Sequence, residues 1–209
     1  MSNKAYAPLV WIVSGPSGSG KTTLCDGLLK DAAWKSRLLK SVSCTTRALR
    51  PKEKNGRDYF HISTDKFERM IRTRAFLEYE KIFGAYYGTP RSVLKKAACA
   101  QKDVLLCIDV RGARTVRRQL GRNRVFSIFL LTPELENLPN RLKGRSTEGK
   151  KDIEIRLQRV KIELSHMKDY DYVVVNDKIQ EALGKIKSIL TAKKCEEEYV
   201  LRSLGKTYR

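Results

Sequence analysis

The sequence has little of what marks an exported, metal-stapled or membrane-embedded chain. Its 209 residues include two histidines and five cysteines, Cys25, Cys44, Cys99, Cys107 and Cys195, which occur singly and never as C-x-x-C. An odd, dispersed set supports neither a disulfide framework nor a zinc site, and it suits a reducing cytoplasm. No apolar run approaches the roughly 18 residues of a membrane span, and the first ten residues show no apolar signal segment. Internal repeats and low-complexity stretches are missing too. Acids are scarce: 23 Asp+Glu stand against 43 Lys+Arg, a formal charge of +20. Such a balance can accompany nucleic-acid binding. Here, however, the basic residues are spread along the whole chain, and few aromatics alternate with them as a base-stacking surface requires. A small polyanionic substrate selects for arginine equally well, so nucleic acid is not the expected partner.

What is present is an α/β rhythm. Hydrophobic residues make up 41% of the chain, enough for a substantial core. Apolar strand-like runs occur at 10–14, 103–110, 125–131 and 172–176. Helical spacing of apolar residues fits 21–30, 90–100, 112–120, 152–166 and 179–190. Thr132-Pro133 reads as the start of a further helix carrying Leu135, Leu138 and Leu142, with Pro139 kinking or restarting it. Continuous apolar strands alternating with amphipathic helices predict a parallel sheet covered on both faces. The tail 191–209 is charged and reads as a solvated extension, helical or frayed.

The first strand runs into Gly15-Pro16-Ser17-Gly18-Ser19-Gly20-Lys21-Thr22, which fits G-x-x-x-x-G-K-S/T at every fixed position. The required context, strand then glycine-rich turn then helix, is met. Backbone N–H groups in such a loop curl around phosphate oxygens, and the following helix adds its positive dipole end. Lys21 is placed to reach the β- and γ-phosphates of a nucleoside triphosphate, and the Thr22 hydroxyl to ligate Mg2+.

Two stretches break the rhythm. Residues 44–89 hold short strand-like pieces and one short helix with Phe67, Met70 and Ile71, capped by the Ser63-Thr64-Asp65 cluster. Residues 141–161 hold eight Lys/Arg against three acids, around Gly144 and Gly149. Both stretches are expected near the carboxyl ends of the strands, where open α/β sheets bind ligands. In the first, Arg47 and Arg50 can converge on one phosphate, with the Tyr59 hydroxyl as a neutral donor. Farther on, Glu78 sits in the mainly apolar FLEYEKIF, where a buried carboxylate must find donors, and GAYYGTP brings Tyr87 and Thr89.

Taken with the P-loop, the motifs SVSCTTRALRPKEKNGRDYF, LEYEKIFGAYYGTP, IDVRG, RLKGRSTE, IEIRL and DYVVVND stand in an order and spacing that closely resemble the guanylate kinase family over about residues 8–190. The resemblance implies Mg2+-dependent transfer of the γ-phosphoryl group of ATP to GMP. It implies a P-loop core (8–43 and 90–190), a GMP-binding subdomain (44–89), a lid (about 141–161) and a charged extension (191–209). It also implies roles. Arg47, Arg50 and Tyr59 would hold the GMP phosphate with Tyr87 beside them. Ser43, Glu78 and Thr89 would read the base with Asp109 assisting. Arg145 and Arg156 would be lid arginines, supported by Arg141, and with Lys21 and Arg47 would carry the chemistry. Asn176 would lie on the adenine side. The expected partners are ATP and GMP, with no membrane; the expected assembly is a monomer or small homo-oligomer.

Guanine chemistry supports the base assignment. N1–H and N2–H are paired donors that one carboxylate accepts together, and O6 needs a hydroxyl such as Ser43 or Thr89. Two positions depart from the family pattern. Cys107 stands where an acid is usual, two residues before Asp109, and Arg111 replaces a usual glutamine. Strand alternation puts Cys107 and Asp109 on one face beside the P-loop. There, Cys107 is either small packing or a thiol that bears on activity. Two other functions fit parts of the pattern. One is a guanylate-kinase-like interaction module without catalysis, against which the intact P-loop and lid arginines speak. The other is a P-loop kinase for another phosphorylated acceptor such as a sugar phosphate, which has no use for a guanine-edge reader.

Overall fold

The computed structural model describes residues 6–51, 53–82, 84–133, 160–196 and 199–200. Five strands form a wholly parallel sheet: β1 (Val10–Ser14), β2 (Leu38–Lys40), β7 (Asp103–Cys107), β8 (Val125–Leu131) and β9 (Tyr172–Val175), in the order β2-β7-β1-β8-β9. β1 is buried at every residue because it has neighbours on both sides and helices over both faces. An uninterrupted VWIVS is what that position demands. On one face, α1 (Lys21–Lys30), α2 (Ala32–Lys35) and α6 (Ile179–Lys194) cover Trp11, Val13, Leu105, Ile128 and Leu130. On the other, α4 (Ser92–Cys99) and α5 (Val110–Leu120) cover Val10, Ile12, Val104 and Leu106.

The interrupting stretch builds a second sheet, from β3 (Cys44–Thr45), β4 (Phe60–His61), β5 (Phe76–Ile82) and β6 (Ala85–Pro90), in the order β4-β3-β6-β5. The β5–β6 hairpin is antiparallel and places Glu78 opposite Thr89. Beneath it lies α3 (Thr64–Arg72), whose Ser63 cap accepts from the Lys66 N–H. Phe67 of α3 is fully buried, stacked between Phe76 at 4.4 Å and Tyr86 at 5.1 Å between ring centroids. α5 also packs on β5, so the helix that follows β7 supports both sheets.

Four expectations need correction. β2 and α2 were not expected; three and four residues are too few to show a period. The strand expected over 103–110 stops at Cys107, because Asp109 accepts from the Gly112 N–H at 2.9 Å and caps a helix that begins at Val110, not 112. The described part of the tail is helical to Lys194, as one of the two expected forms, and although mostly exposed it makes contacts that a wholly solvated extension would lack. α6 runs on to Lys194, Lys193 Nζ lies 4.0 Å from the Phe126 ring centre, and the Tyr199 hydroxyl donates to Asp103 at 3.2 Å. Buried Asp103 also accepts from the Tyr6 hydroxyl at 2.7 Å and the Leu9 N–H at 3.0 Å, tying residues from both ends of the chain to the start of β7. The helix expected from Thr132-Pro133 lies outside the described residues, as does most of the one expected over 152–166, of which 160–165 is helical.

Candidate active site

The P-loop joins β1 to α1 at the carboxyl end of the parallel sheet. Two of its glycines are required by geometry. Gly15 has φ 141°, and a Cβ there would lie 2.4 Å from the Leu130 carbonyl oxygen of β8. Gly20 has φ 88°, with the Asn176 amide nitrogen 2.5 Å from where a Cβ would stand. Both conformations are ones that only glycine adopts without strain. Asn176 itself is buried and donates to the Ser19 carbonyl at 2.8 Å, so the end of β9 braces the loop from behind. Lys21 Nζ donates to the Gly15 and Pro16 carbonyls at 2.7 and 2.9 Å, which holds the ammonium across the loop.

A cavity of about 300 Å³ opens in front of the loop. Ser17, Lys21 and Thr22 line it on the P-loop side. Ser43, Arg50, Tyr59, Glu78 and Tyr87 line it from the second sheet, and Asp109 and Cys107 from the end of β7. Residues from four separate motifs thus meet in one space. Thr89 joins them through Glu78, to whose Oε1 its hydroxyl donates at 2.5 Å. An adjoining cavity of about 410 Å³ runs along Gly18, Gly20 and Thr22 and again reaches Arg50 and Tyr59. Arg145, Arg156 and Arg141 lie outside the described residues.

Glu78 is 7% exposed, and its carboxyl is pushed up to about 7. Burial is the main cause, with Asp109 adding repulsion and the Thr89 hydrogen bond opposing. The fit around it is close. A Cβ on Gly112 would lie 2.7 Å from Glu78 Oε2. Cys107 is pulled down to about 6 by a hydrogen bond from the Cys25 thiol, with Lys21, Thr22 and Lys40 reinforcing this against burial.

Arg47 is turned toward a residue that sequence reasoning missed. Its guanidinium makes a bidentate pair with Glu53 at 2.7 and 2.9 Å, and its Nε donates to the Tyr87 hydroxyl at 3.1 Å. Glu53 also accepts from the Arg50 N–H at 3.1 Å, and these bonds outweigh burial to hold its carboxyl below its ordinary value. Glu53 therefore sets the geometry of the arginine pair. Glu163, 6% exposed, also lines the cavity and was not singled out from sequence. Its only signal was an acid in the otherwise apolar helical face Val160–Leu164.

Comparison with known proteins gives a consistent result. The family model described as guanylate kinase matches residues 8–193. The chain is 43% identical over 188 residues to a guanylate kinase of Lactobacillus johnsonii, covering 90% of each chain. It is 42% identical over 196 residues to one of Caldanaerobacter subterraneus, covering 93% of this chain and 92% of the relative. The crystal structure of guanylate kinase from Anaplasma phagocytophilum superposes with a TM-score of 0.73 at 32% identity, covering 92% of this chain and 89% of that one.

Proposed function

The chain belongs to the guanylate kinase family, and from that premise we propose that the crevice in front of its P-loop transfers the γ-phosphoryl group of ATP to GMP, giving ADP and GDP, in the cytoplasm. The observation that carries this reading is the buried Glu78 carboxylate sharing a cavity with the P-loop lysine. Guanine presents N1–H and N2–H to Glu78. The single proton of the Thr89 hydroxyl is already directed at Glu78 Oε1, so the donor to O6 is Ser43. Adenine would bring a bare acceptor to the carboxylate, and a site built to pair polar groups rejects such a mismatch by roughly 10⁴-fold. Arg50 and the Tyr59 hydroxyl receive the GMP phosphate, with Arg47 held beside them by Glu53 and Tyr87.

On the donor side, the P-loop N–H groups and Lys21 take the β- and γ-phosphates. Thr22 fits Mg2+: its exposed hydroxyl is a hard oxygen ligand, and no group of three or more His, Cys, Asp or Glu among the described residues could cage a metal. Mg2+ would be held by this hydroxyl together with substrate phosphates. When bound, it neutralises charge on the phosphate chain. Phosphoryl transfer is mostly positioning and charge neutralisation. This chain supplies the positioning by placing the two phosphate sites on opposite walls of one cavity, and Arg145 and Arg156 are assigned to closing over them.

An ADP-release assay across GMP, AMP, CMP, UMP and ribose phosphate tests the reading. GMP alone should support rapid turnover; turnover with ribose phosphate, or with no acceptor in the panel, would overturn it. Gly112→Ala is a finer test. Alanine gains about 1 kcal/mol of helix propensity over glycine, but its methyl displaces the Glu78 carboxylate. Thermal stability should stay within about 1 kcal/mol of wild type, while kcat/KM for GMP falls roughly tenfold. Unchanged GMP kinetics would show that Glu78 does not need its present position.

A further inference from the structure

The wall that carries Arg47, Arg50 and Tyr59 also contains a mostly buried imidazole, His61 of β4. Its backbone N–H donates to the Asn55 side chain at 2.9 Å, and Tyr59 packs edge-on to the ring at 6.1 Å between centroids. Its Nδ1 lies 2.8 Å from the Arg47 carbonyl oxygen. A carbonyl only accepts, so Nδ1 carries the ring proton and Nε2 is the bare nitrogen of the neutral ring. That Nε2 is buried, has no hydrogen-bond partner among the described residues, and faces Glu53 Oε2 at 3.8 Å. Two acceptors thus confront each other just beyond hydrogen-bonding range. One proton on Nε2 would make them an ion pair. Arg47 has the converse problem, because all three guanidinium nitrogens are engaged. Nε donates to the Tyr87 hydroxyl at 3.1 Å, Nη1 to the Ala48 carbonyl at 2.6 Å, and Nη2 to both Glu53 oxygens at 2.7 and 2.9 Å. A phosphate gains Arg47 only by displacing one of these partners, and Glu53 is the anion among them. Glu53 lines the cavity that runs along the P-loop, beside Arg50 and Tyr59.

On the reading that Arg47, Arg50 and Tyr59 hold the GMP phosphate, we propose that His61 is a positioning residue that takes Glu53 over from Arg47 when GMP binds. The exchange balances. The Arg47 Nη2–H bonds to Glu53 break and re-form to phosphate oxygens. A proton from solvent adds to His61 Nε2, and the new Nε2–H donates to Glu53 Oε2. Closing from 3.8 Å to hydrogen-bond distance asks for about 1 Å of side-chain movement. One cation replaces another beside the carboxylate, so Glu53 is not left as a lone charge in a mostly buried place. Its bond from the Arg50 N–H persists, which keeps the second arginine in position. Glu53, Arg47 and Tyr59 are the charged and titratable groups that face the ring, and Tyr87 of β6 joins them through Arg47 and Tyr59. Glu53 is the anion among these. Linkage fixes the sign: a ligand that raises the proton affinity of His61 binds more tightly as pH falls. This is the reverse of the sign expected from ionising Glu78.

With two histidines in the chain, NMR of the ring nitrogens reads His61 directly, and His166, paired with Asp169 at 3.1 Å, is the internal reference. Saturating GMP, with occupancy set by calorimetry on the same sample, should move the His61 titration up by about one pH unit and leave His166 in place. Glu53→Gln removes the accepting charge and should abolish that move. Bound GMP with His61 unmoved would overturn the exchange. So would an equal move in Glu53→Gln, which would show the phosphate charge acting on the ring directly. No GMP binding at all would instead overturn the functional reading, and this exchange with it. Kinetics give an independent readout. His61→Asn keeps a donor for the Arg47 carbonyl but offers nothing to Glu53, so KM for GMP should rise about tenfold while kcat stays within about twofold. His61→Gln carries an amide that reaches toward Glu53 without needing a proton. It should recover most of the KM and flatten its pH dependence. Equal defects in the two variants, or a fall in kcat as large as the rise in KM, would show that His61 only packs.

Discussion

Lys21→Ala should lower phosphoryl transfer by at least about 10³-fold while leaving GMP affinity within a few-fold of wild type. The magnitude follows from losing a preorganised cation aimed at developing phosphate charge. The selectivity follows from the crevice. Lys21 stands on the P-loop wall, and Ser43, Arg50, Tyr59 and Glu78 stand on the opposite one. Stability should change little. The ammonium is only partly buried, and its two bonds, to the Gly15 and Pro16 carbonyls, are part-buried as well. Calorimetric titration of the folded variant with GMP, beside steady-state kinetics, checks this. Equal loss of GMP binding and of turnover would show that the two walls are not independent sites.

Much of this site was legible because its signals are local. Four consecutive apolar residues, Val10 to Val13, before a glycine-rich turn specify a buried central strand and a phosphate loop, and the structure has both. Glu78 was legible as an acid stranded among apolar neighbours, and its burial bears that out. Other features depend on partners distant in sequence. Nothing near Glu53 shows that it will orient Arg47 and fix the Arg50 backbone, since that depends on a turn closing over 47–53. Tyr199 reaches Asp103 across 96 residues, so a charged tail looked solvated until packing was known. Asn176 belongs between these cases. Its place at the end of an apolar strand was visible, but the structure assigns it a brace on Ser19, which no strand pattern shows.

Glu78→Gln should cost GMP about 2–4 kcal/mol of kcat/KM, roughly 30- to 1,000-fold, and should also change how the protein responds to pH. The loss arises because one accepting oxygen becomes an NH2 facing guanine N1–H or N2–H. The pH effect has a definite sign. The folded carboxyl titrates at about 7 against an ordinary 4.5, so the folded state holds this proton more tightly than the unfolded chain does. Its contribution to stability is therefore greatest below the ordinary value, declines as pH rises through about 7, and is flat above; the full change is on the order of 3 kcal/mol. GMP binding runs the opposite way, since the guanine donors require the ionised carboxylate. Affinity should rise toward a plateau above pH 7, and binding near neutrality should expel a proton from Glu78. The GMP phosphate also titrates, near 6, so the informative quantity is the difference between wild type and Glu78→Gln. Proton release measured calorimetrically in buffers of different ionisation enthalpy should be larger for wild type, and the variant should lose the stability decline between pH 5 and 7. Were both proteins to release the same number of protons and share one stability profile, Glu78 would be ionised throughout. The burial that marks it as the guanine reader would then be offset by donors that the guanine edge must displace.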